Sequence, residues 1–381
     1  MKKRVLVCSS AGNPHIRRLL RVICESQTGV QIDYMSLSYV KDKDLEDIRP
    51  YVSNCYILNN YSSKNSLDKL YHQSLSIIKL KKRIENIYDC TIICAITIKY
   101  LLLFNTLRKH SKKLIFYPWG SEIIKASKPS LFVLRFFYSK ASGVVTIKNS
   151  RFENTIRTLL HVNQNKFIDI PYGSELIDMH AISNLSKEDA KKELGLNSDY
   201  IITCGYNGYA TQNHMLIINS LFSEKELLPT NCHLVFPMTY GLTEEYKFEL
   251  ENTLQRTGFK YTIYTDFMPV ERLCALQRAT DVFIHIQKTD ASSSSVKEFI
   301  VAGAKVFNGS WLSYPEIELH GTPYISVKSP ELLSESIRNY YCGNIHLDIT
   351  QEMMDDVKHF THSNFVMNWQ QAIKDWTASS N

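Results

Sequence analysis

The feature that most constrains this chain is an alternation running through its whole length: short apolar runs separated by longer segments with helical spacing. In the first half "RVLVCSS", "GVQIDYMSL", "YVSNCYIL", "CTIICAI", "KLIFYPWG", "GVVTI" and "FIDIPYG" read as strands, with helical stretches between them that include 67–87 and 150–161. The second half opens with "SKEDAKKELGL", where Ser186 is a candidate N-cap and Gly195 a stop. It continues with strands "YIITCGY", "HLVFPM", "YTIYTDF", "DVFIHI", "KVFNG" and "TPYISV", separated by helical stretches over 213–223, 243–257, 270–278, 296–302 and 330–341. Alternating strands and helices predict parallel sheets covered on both faces. With 381 residues there is chain enough for two full-sized cores. The expected class is α/β, with two Rossmann-like doubly wound domains facing across a cleft. Residues 1–175 form the first domain and 176–360 the second. A last helix within 361–381 carries Phe365, Trp369 and Trp376 on one side and is expected to pack back toward the first domain.

Charge separates the halves. Residues 1–175 hold 28 Lys and Arg against 13 Asp and Glu, whereas the rest holds 16 against 25, within a net charge of +6. Such asymmetry suggests an anionic surface as partner. "KLKKR" and "RKHSKK" are dense basic clusters, and "KPSLFVLRFFYSK" interleaves cations with Leu131, Phe132, Leu134, Phe136, Phe137 and Tyr138. That segment suits either an anionic bilayer surface or a core helix with charged ends. Nucleic acid is the weaker reading, because no recognised nucleic-acid module is present. No apolar run approaches the roughly 18 residues of a membrane span. The opening "MKKRVLVCSSAGNPHIRR" mimics a signal peptide, but its apolar part is short and basic residues return at Arg17 and Arg18. Nine cysteines show no metal-ligand spacing; Cys90 and Cys94 lie in an apolar run and are expected to be buried thiols of a reducing cytosol. The expected location is cytoplasmic, peripheral at the inner face of the cytoplasmic membrane.

Open α/β sheets bind ligands beyond the carboxyl ends of their strands. At such ends stand Gly12, Asn13 and His15; Trp119, Gly120, Ser121 and Glu122; and Asn207, Asn213 and His214. The most informative stretch is "TDASSSSVKEFIVAGAK", which joins strand "DVFIHI" to a helix expected to start near Ser294 or Ser295. Amide groups at a helix start lack intrahelical partners and bind anions, and small residues let a phosphate approach. Glu298, one turn inside, has the chemistry to accept two hydrogen bonds from a vicinal diol such as a ribose. Asp290, at the strand end, suits a sugar hydroxyl or a cationic transition state, and equally a plain N-cap. "DKD" at Asp42–Asp44 mimics a metal motif but sits in a charged segment of the first domain, so no metal is expected.

The segment "YTDFMPVERLCALQRATDVFIHIQKTDASSSSVKEFIVAGAKVFNG" resembles the donor-binding region of GT-B glycosyltransferases, especially glycosyltransferase family four. That family carries two acids separated by seven residues, then a small-residue step ending in glycine. Asp290, Glu298 and Gly303 match it here. "IDIPYGSELID" is similar to the family's interdomain crossing, "AKKELGLNSDYIITCGYNG" to its second-domain opening, and "FYPWGSEI" to a "WGSD" element of the first domain. The likeness spans most of residues 110–330. An "NH" element and the "FPMTYG" strand also resemble a bacterial family that transfers a deoxyamino sugar to a lipid-linked acceptor. Two departures stand out. The first acid is Asp290 in place of Glu, and the usual Arg and Lys after the second domain's first strand are replaced by Tyr206, Asn207, Asn213 and His214.

The resemblance implies retaining glycosyl transfer from a nucleoside diphosphate sugar, a UDP-sugar foremost, without metal or other cofactor. The acceptor would be a lipid-linked, lipopolysaccharide, O-antigen or capsule glycan. Asp290 and Glu298 would be the catalytic pair. Gly12, Asn207, His214, Lys288, Ser292, Ser293, Ser294, Ser295, Val296, Lys297 and Glu298 would bind the donor. Asn13, His15, Trp119, Gly120, Ser121 and Glu122 would meet the acceptor. The departures keep two other readings in view: a non-catalytic GT-B homologue that binds glycan or scaffolds a partner, and a sugar-nucleotide epimerase.

Overall fold

The computed structural model describes residues 3–9, 14–25, 29–38, 40–58 and 66–378. The chain divides into two compact units, Met1–Pro171 with Phe365–Asn381, and Tyr172–Asn364. The division thus falls a few residues from the expected boundary and again inside the last helix, His362–Thr377.

The first unit is built on seven parallel strands: β1 (Arg4–Cys8), β2 (Gln31–Ser36), β3 (Asn54–Ile57), β4 (Tyr88–Cys94), β5 (Ser111–Tyr117), β6 (Gly143–Thr146) and β7 (Phe167–Asp169). Their order is β3-β2-β1-β4-β5-β6-β7. The inner stretches of the central strands are apolar because helices cover both faces, and Val5 to Cys8 and Ile92 to Cys94 are buried without alternation. The thiols of Cys90 and Cys94 are buried as expected, and burial pushes both up from the ordinary cysteine range. In the last helix, Trp369 is fully buried and meets the Tyr117 ring edge-on at 5.3 Å. The Arg18 guanidinium lies 4.7 Å over Phe365, and Lys113 Nζ donates to the Asp375 carbonyl at 2.9 Å.

The second unit carries six parallel strands: β8 (Tyr200–Cys204), β9 (Cys232–Pro237), β10 (Lys260–Tyr264), β11 (Val282–His285), β12 (Lys305–Gly309) and β13 (Ile325–Val327). Their order, β10-β9-β8-β11-β12-β13, repeats the winding of the first unit. In each sheet the order reverses beside the first strand, between β1 and β4 and between β8 and β11. That reversal opens a crevice at the strands' carboxyl ends.

Local signals hold where capping chemistry sets them. Ser186 Oγ accepts the Asp189 N–H at 3.1 Å, and Gly195 ends that helix at φ 69°. Helix Ser66–Lys82 stops five residues short of the expected stretch. The chain must turn into β4 at Tyr88, whose hydroxyl donates to buried Asp33 at 2.9 Å. Asp42 and Asp44 fall in the first turn of helix Asp42–Ile48, where carboxylates favour the positive end of the helix dipole.

Candidate functional site

The second unit's reversal point gathers the residues after β8 and β11. Ser293 caps helix Ser294–Val301, its Oγ accepting the Val296 N–H at 3.3 Å. The amides of Ser294 and Ser295, in the first turn, have no intrahelical acceptor. Both side chains are half-buried, whereas Val296 is fully buried and its N–H is spent on the cap. The helix closes at Gly303, whose φ of 93° favours glycine.

Glu298 is buried and held from two sides. Ser174 Oγ donates to Oε1 at 2.6 Å, and Gln277 Nε2 to Oε2 at 2.9 Å. Ser174 is itself the cap of helix Glu175–Ile182, and its backbone pairs with the 360–362 segment. Behind Gln277, its Oε1 meets His180 Nε2 at 2.7 Å. Asp290 accepts the Ala291 N–H on Oδ1 at 2.7 Å and the Tyr314 hydroxyl on Oδ2 at 3.1 Å. The sequence-level N-cap alternative for Asp290 does not hold, because Ser293 is the cap.

The two lysines separate. Lys297 is buried, with Nζ 3.3 Å from Glu316 Oε1 and 2.5 Å from Ser292 Oγ, and it lies 4.3 Å from the Phe360 ring centroid. Ser292 Oγ also donates to Glu316 at 2.8 Å. The charge of Lys297 is therefore matched within the unit, because a buried ammonium needs a partner. The Lys288 side chain is exposed. On the β8 side, Asn207 is buried, its Oδ1 accepting the Tyr209 N–H at 3.0 Å. His214 is fully buried against Phe236, with Nδ1 3.1 Å from the Tyr246 hydroxyl. Burial lowers its pKa to about 4, so the ring is neutral near pH 7. Like Val296, it presents no side chain to solvent.

In the first unit, Gly12 and Asn13 lie outside the described residues. His15 stands edge-on to Trp119 at 6.0 Å. Gly120, at φ 111°, turns the chain into the short helix Ser121–Ile124, and Ser121 is exposed. Glu122 Oε1 accepts the Trp119 N–H at 2.8 Å. Its Oε2 and the Trp119 indole nitrogen are buried without a hydrogen-bond partner, and burial raises the Glu122 carboxyl above the usual range.

Sequence reasoning missed Ser174, Gln277, Glu316, Tyr314 and His285. Only His285 left a signal, as a polar residue inside the apolar run "DVFIHI".

Two Rossmann-type parallel sheets of seven and six strands, with the chain's end belonging to the first unit, define the GT-B fold. No protein-family model and no curated protein sequence matches the chain. Solved structures do. A glycosyltransferase from Rickettsia africae ESF-5 is 15% identical over 100% of both chains, with a TM-score of 0.72. Anabaena HepE in complex with UDP-glucose is 16% identical over 98% of each chain, with a TM-score of 0.61. The lipopolysaccharide outer core galactosyltransferase WaaB, in its apo form, is 10% identical over 98% of this chain and 99% of its own, with a TM-score of 0.63. At these identities the likeness is one of fold, and the fold is the one the sequence predicts.

Proposed function

We propose that the protein is a GT-B glycosyltransferase that moves a sugar from a nucleoside diphosphate sugar, a UDP-sugar foremost, to a glycan or lipid-linked acceptor. One observation carries the reading: Asp290 and Glu298 bracket a serine loop and a capped helix start at the carboxyl end of β11, beside the sheet's reversal point. The UDP-glucose bound to Anabaena HepE supports the donor class.

The diphosphate would lie on the free amides of Ser294 and Ser295, with Lys288 as the exposed cation near the loop. Glu298 would take the ribose, exchanging the hydrogen bonds of Ser174 and Gln277 for those of the diol. Asp290 would face the sugar. In transfer, the bond from the anomeric carbon to the β-phosphate oxygen breaks and the acceptor oxygen bonds to that carbon. The nucleoside diphosphate leaves, and the hydroxyl proton passes to its phosphate. Catalysis is then positioning and stabilisation of an oxocarbenium-like state, with retention. His15, Trp119 and Glu122 are the acceptor-side groups of this proposal.

The acceptor's membrane location rests on helix Lys128–Ser139. It buries Leu134, Phe137 and Tyr138 but leaves Phe132 75% and Phe136 44% exposed, with Lys128 and Arg135 on the same helix. No helix among the described residues is long and apolar enough to cross a membrane, so the proposed attachment is peripheral at an anionic surface.

The deciding experiment is Glu298→Ala, assayed for nucleotide release and by calorimetry with UDP. Loss of both is expected, and unchanged transfer and binding would sink the assignment. A second reading, a non-catalytic glycan-binding homologue, draws on Glu298 being already satisfied by Ser174 and Gln277. Failure of a panel of nucleoside diphosphates to bind would favour it.

A further inference from the structure

Strand β11 ends on His285, whose ring is fully buried. Its Nδ1 lies 2.8 Å from Oδ1 of Asn308 on β12, while the Asn308 amide nitrogen faces the Gly309 carbonyl at 3.3 Å. That oxygen can only accept, so Nδ1 carries the proton of the neutral ring. Nε2 is then a lone pair. It is buried without a hydrogen-bond partner and faces Oδ2 of Asp290 at 3.6 Å. Two acceptors thus confront each other with no proton between them. A single proton would turn the confrontation into a charge-assisted hydrogen bond.

The other neighbours do not supply it. The Tyr206 ring stacks on His285 at 5.8 Å, Tyr314 lies at 6.4 Å and Phe283 at 5.9 Å. Burial keeps both phenols neutral, and the Tyr314 hydroxyl already donates to Asp290. On helix Ser294–Val301, Lys297 is matched by Glu316 and Glu298 by Ser174 and Gln277. Burial holds the His285 proton off, below the ordinary histidine range, while Asp290 pulls the other way. Any added negative charge at the loop shifts that balance toward protonation.

We propose that His285 and Asp290 form a proton-binding pair, open in the ligand-free protein, that takes one proton from solvent when an anionic donor docks at the start of helix Ser294–Val301. His285 is then a positioning residue: the closed pair holds the Asp290 carboxylate by Oδ2 and sets its orientation toward the donor sugar. The pair rests on the donor reading above for its trigger, but not for its ligand-free state.

Two measurements test it. Nitrogen-15 NMR of histidine-labelled free protein at about pH 7 should show His285 neutral, with its single ring proton on Nδ1. A charged ring or the Nε2–H tautomer overturns the proposal. Calorimetry with UDP-glucose, whose diphosphate does not titrate near neutrality, is then run in buffers of different ionisation enthalpy. Uptake of up to one proton per ligand bound is expected, and none in His285→Gln, which keeps a hydrogen-bond donor but cannot titrate. Binding without uptake in the natural protein overturns the proposal. If UDP-glucose does not bind, the donor assignment fails instead, and the ring's tautomer still decides the ligand-free pair.

Discussion

The two units repeat one winding about their first strands, but the buried charged groups beside those strands are held differently. In the second, charged groups are buried and matched: Lys297 with Glu316, whose side chains are 3% and 2% exposed, and Glu298 with Ser174 and Gln277. In the first, Glu122 and Trp119 keep buried polar atoms without partners, and the excess of cations falls in this half of the chain. Topology places the reversal point identically in both. Whether the groups there are already held is decided by what packs behind them. In the second unit the charged groups of the helix after β11 are held by partners, while the ring nitrogen of His285 at the end of β11 is not. In the first, the Glu122 carboxylate after β5 is held on one oxygen only.

Four measurements can break or sharpen that contrast. The largest effect is expected from Lys297→Met, which strands Glu316 as an uncompensated buried charge. The loss should be about 3–5 kcal/mol by chemical denaturation, mostly restored by adding Glu316→Leu. A loss as small as a surface ion pair's, about 0–1 kcal/mol, would mean that this pair is not a matched buried charge pair.

Next is the acid limb of the second unit's stability. Burial depresses the folded-state pKa of His214 to about 4, against about 6.5 in an unfolded chain. The unfolded state therefore binds the proton first as pH falls. The contribution is complete above about pH 6.5 and is lost progressively toward pH 4, about 3 kcal/mol in all. Stability should fall more steeply with decreasing pH across that window than it does in His214→Gln, and parallel pH profiles would refute the assignment.

Third, paired variants should divide the reaction between the units. Glu298→Ala should cost about a hundredfold in transfer, together with nucleotide affinity. Glu122→Ala should cost transfer while UDP affinity, read by calorimetry, stays put. Loss of UDP affinity in both variants would erase the contrast. The smallest effect on folding is expected from Phe132→Ser, within about 0.5 kcal/mol for so exposed a position. Cosedimentation with anionic vesicles should nevertheless fall sharply, and unchanged vesicle binding would remove the membrane from the first unit's role.

Much of this was legible in the sequence because the signals were local. Apolar runs such as "YIITCGY" and "DVFIHI" became β8 and β11, and the serine run became a loop, cap and helix start at Ser294, where small residues and an N-cap hydroxyl were both to be expected. Capping and strand periodicity act within a few residues, so they are written in order along the chain.

The partners of the site residues were not legible. Ser174 reaches Glu298 across 124 positions of sequence, Gln277 across 21 and Glu316 reaches Lys297 across 19. No spacing rule anticipates such pairs, because only the packed sheet and its covering helices bring them together. For the same reason the sequence could nominate Lys297 as a phosphate ligand, while the tertiary structure gave its charge to Glu316. The sequence by itself determined the α/β alternation, the loop chemistry between Asp290 and Glu298, and the charge asymmetry of the halves. Tertiary structure alone decided which of those side chains are buried and what neutralises them, because the cost of an unpaired charge exists only where water has been excluded.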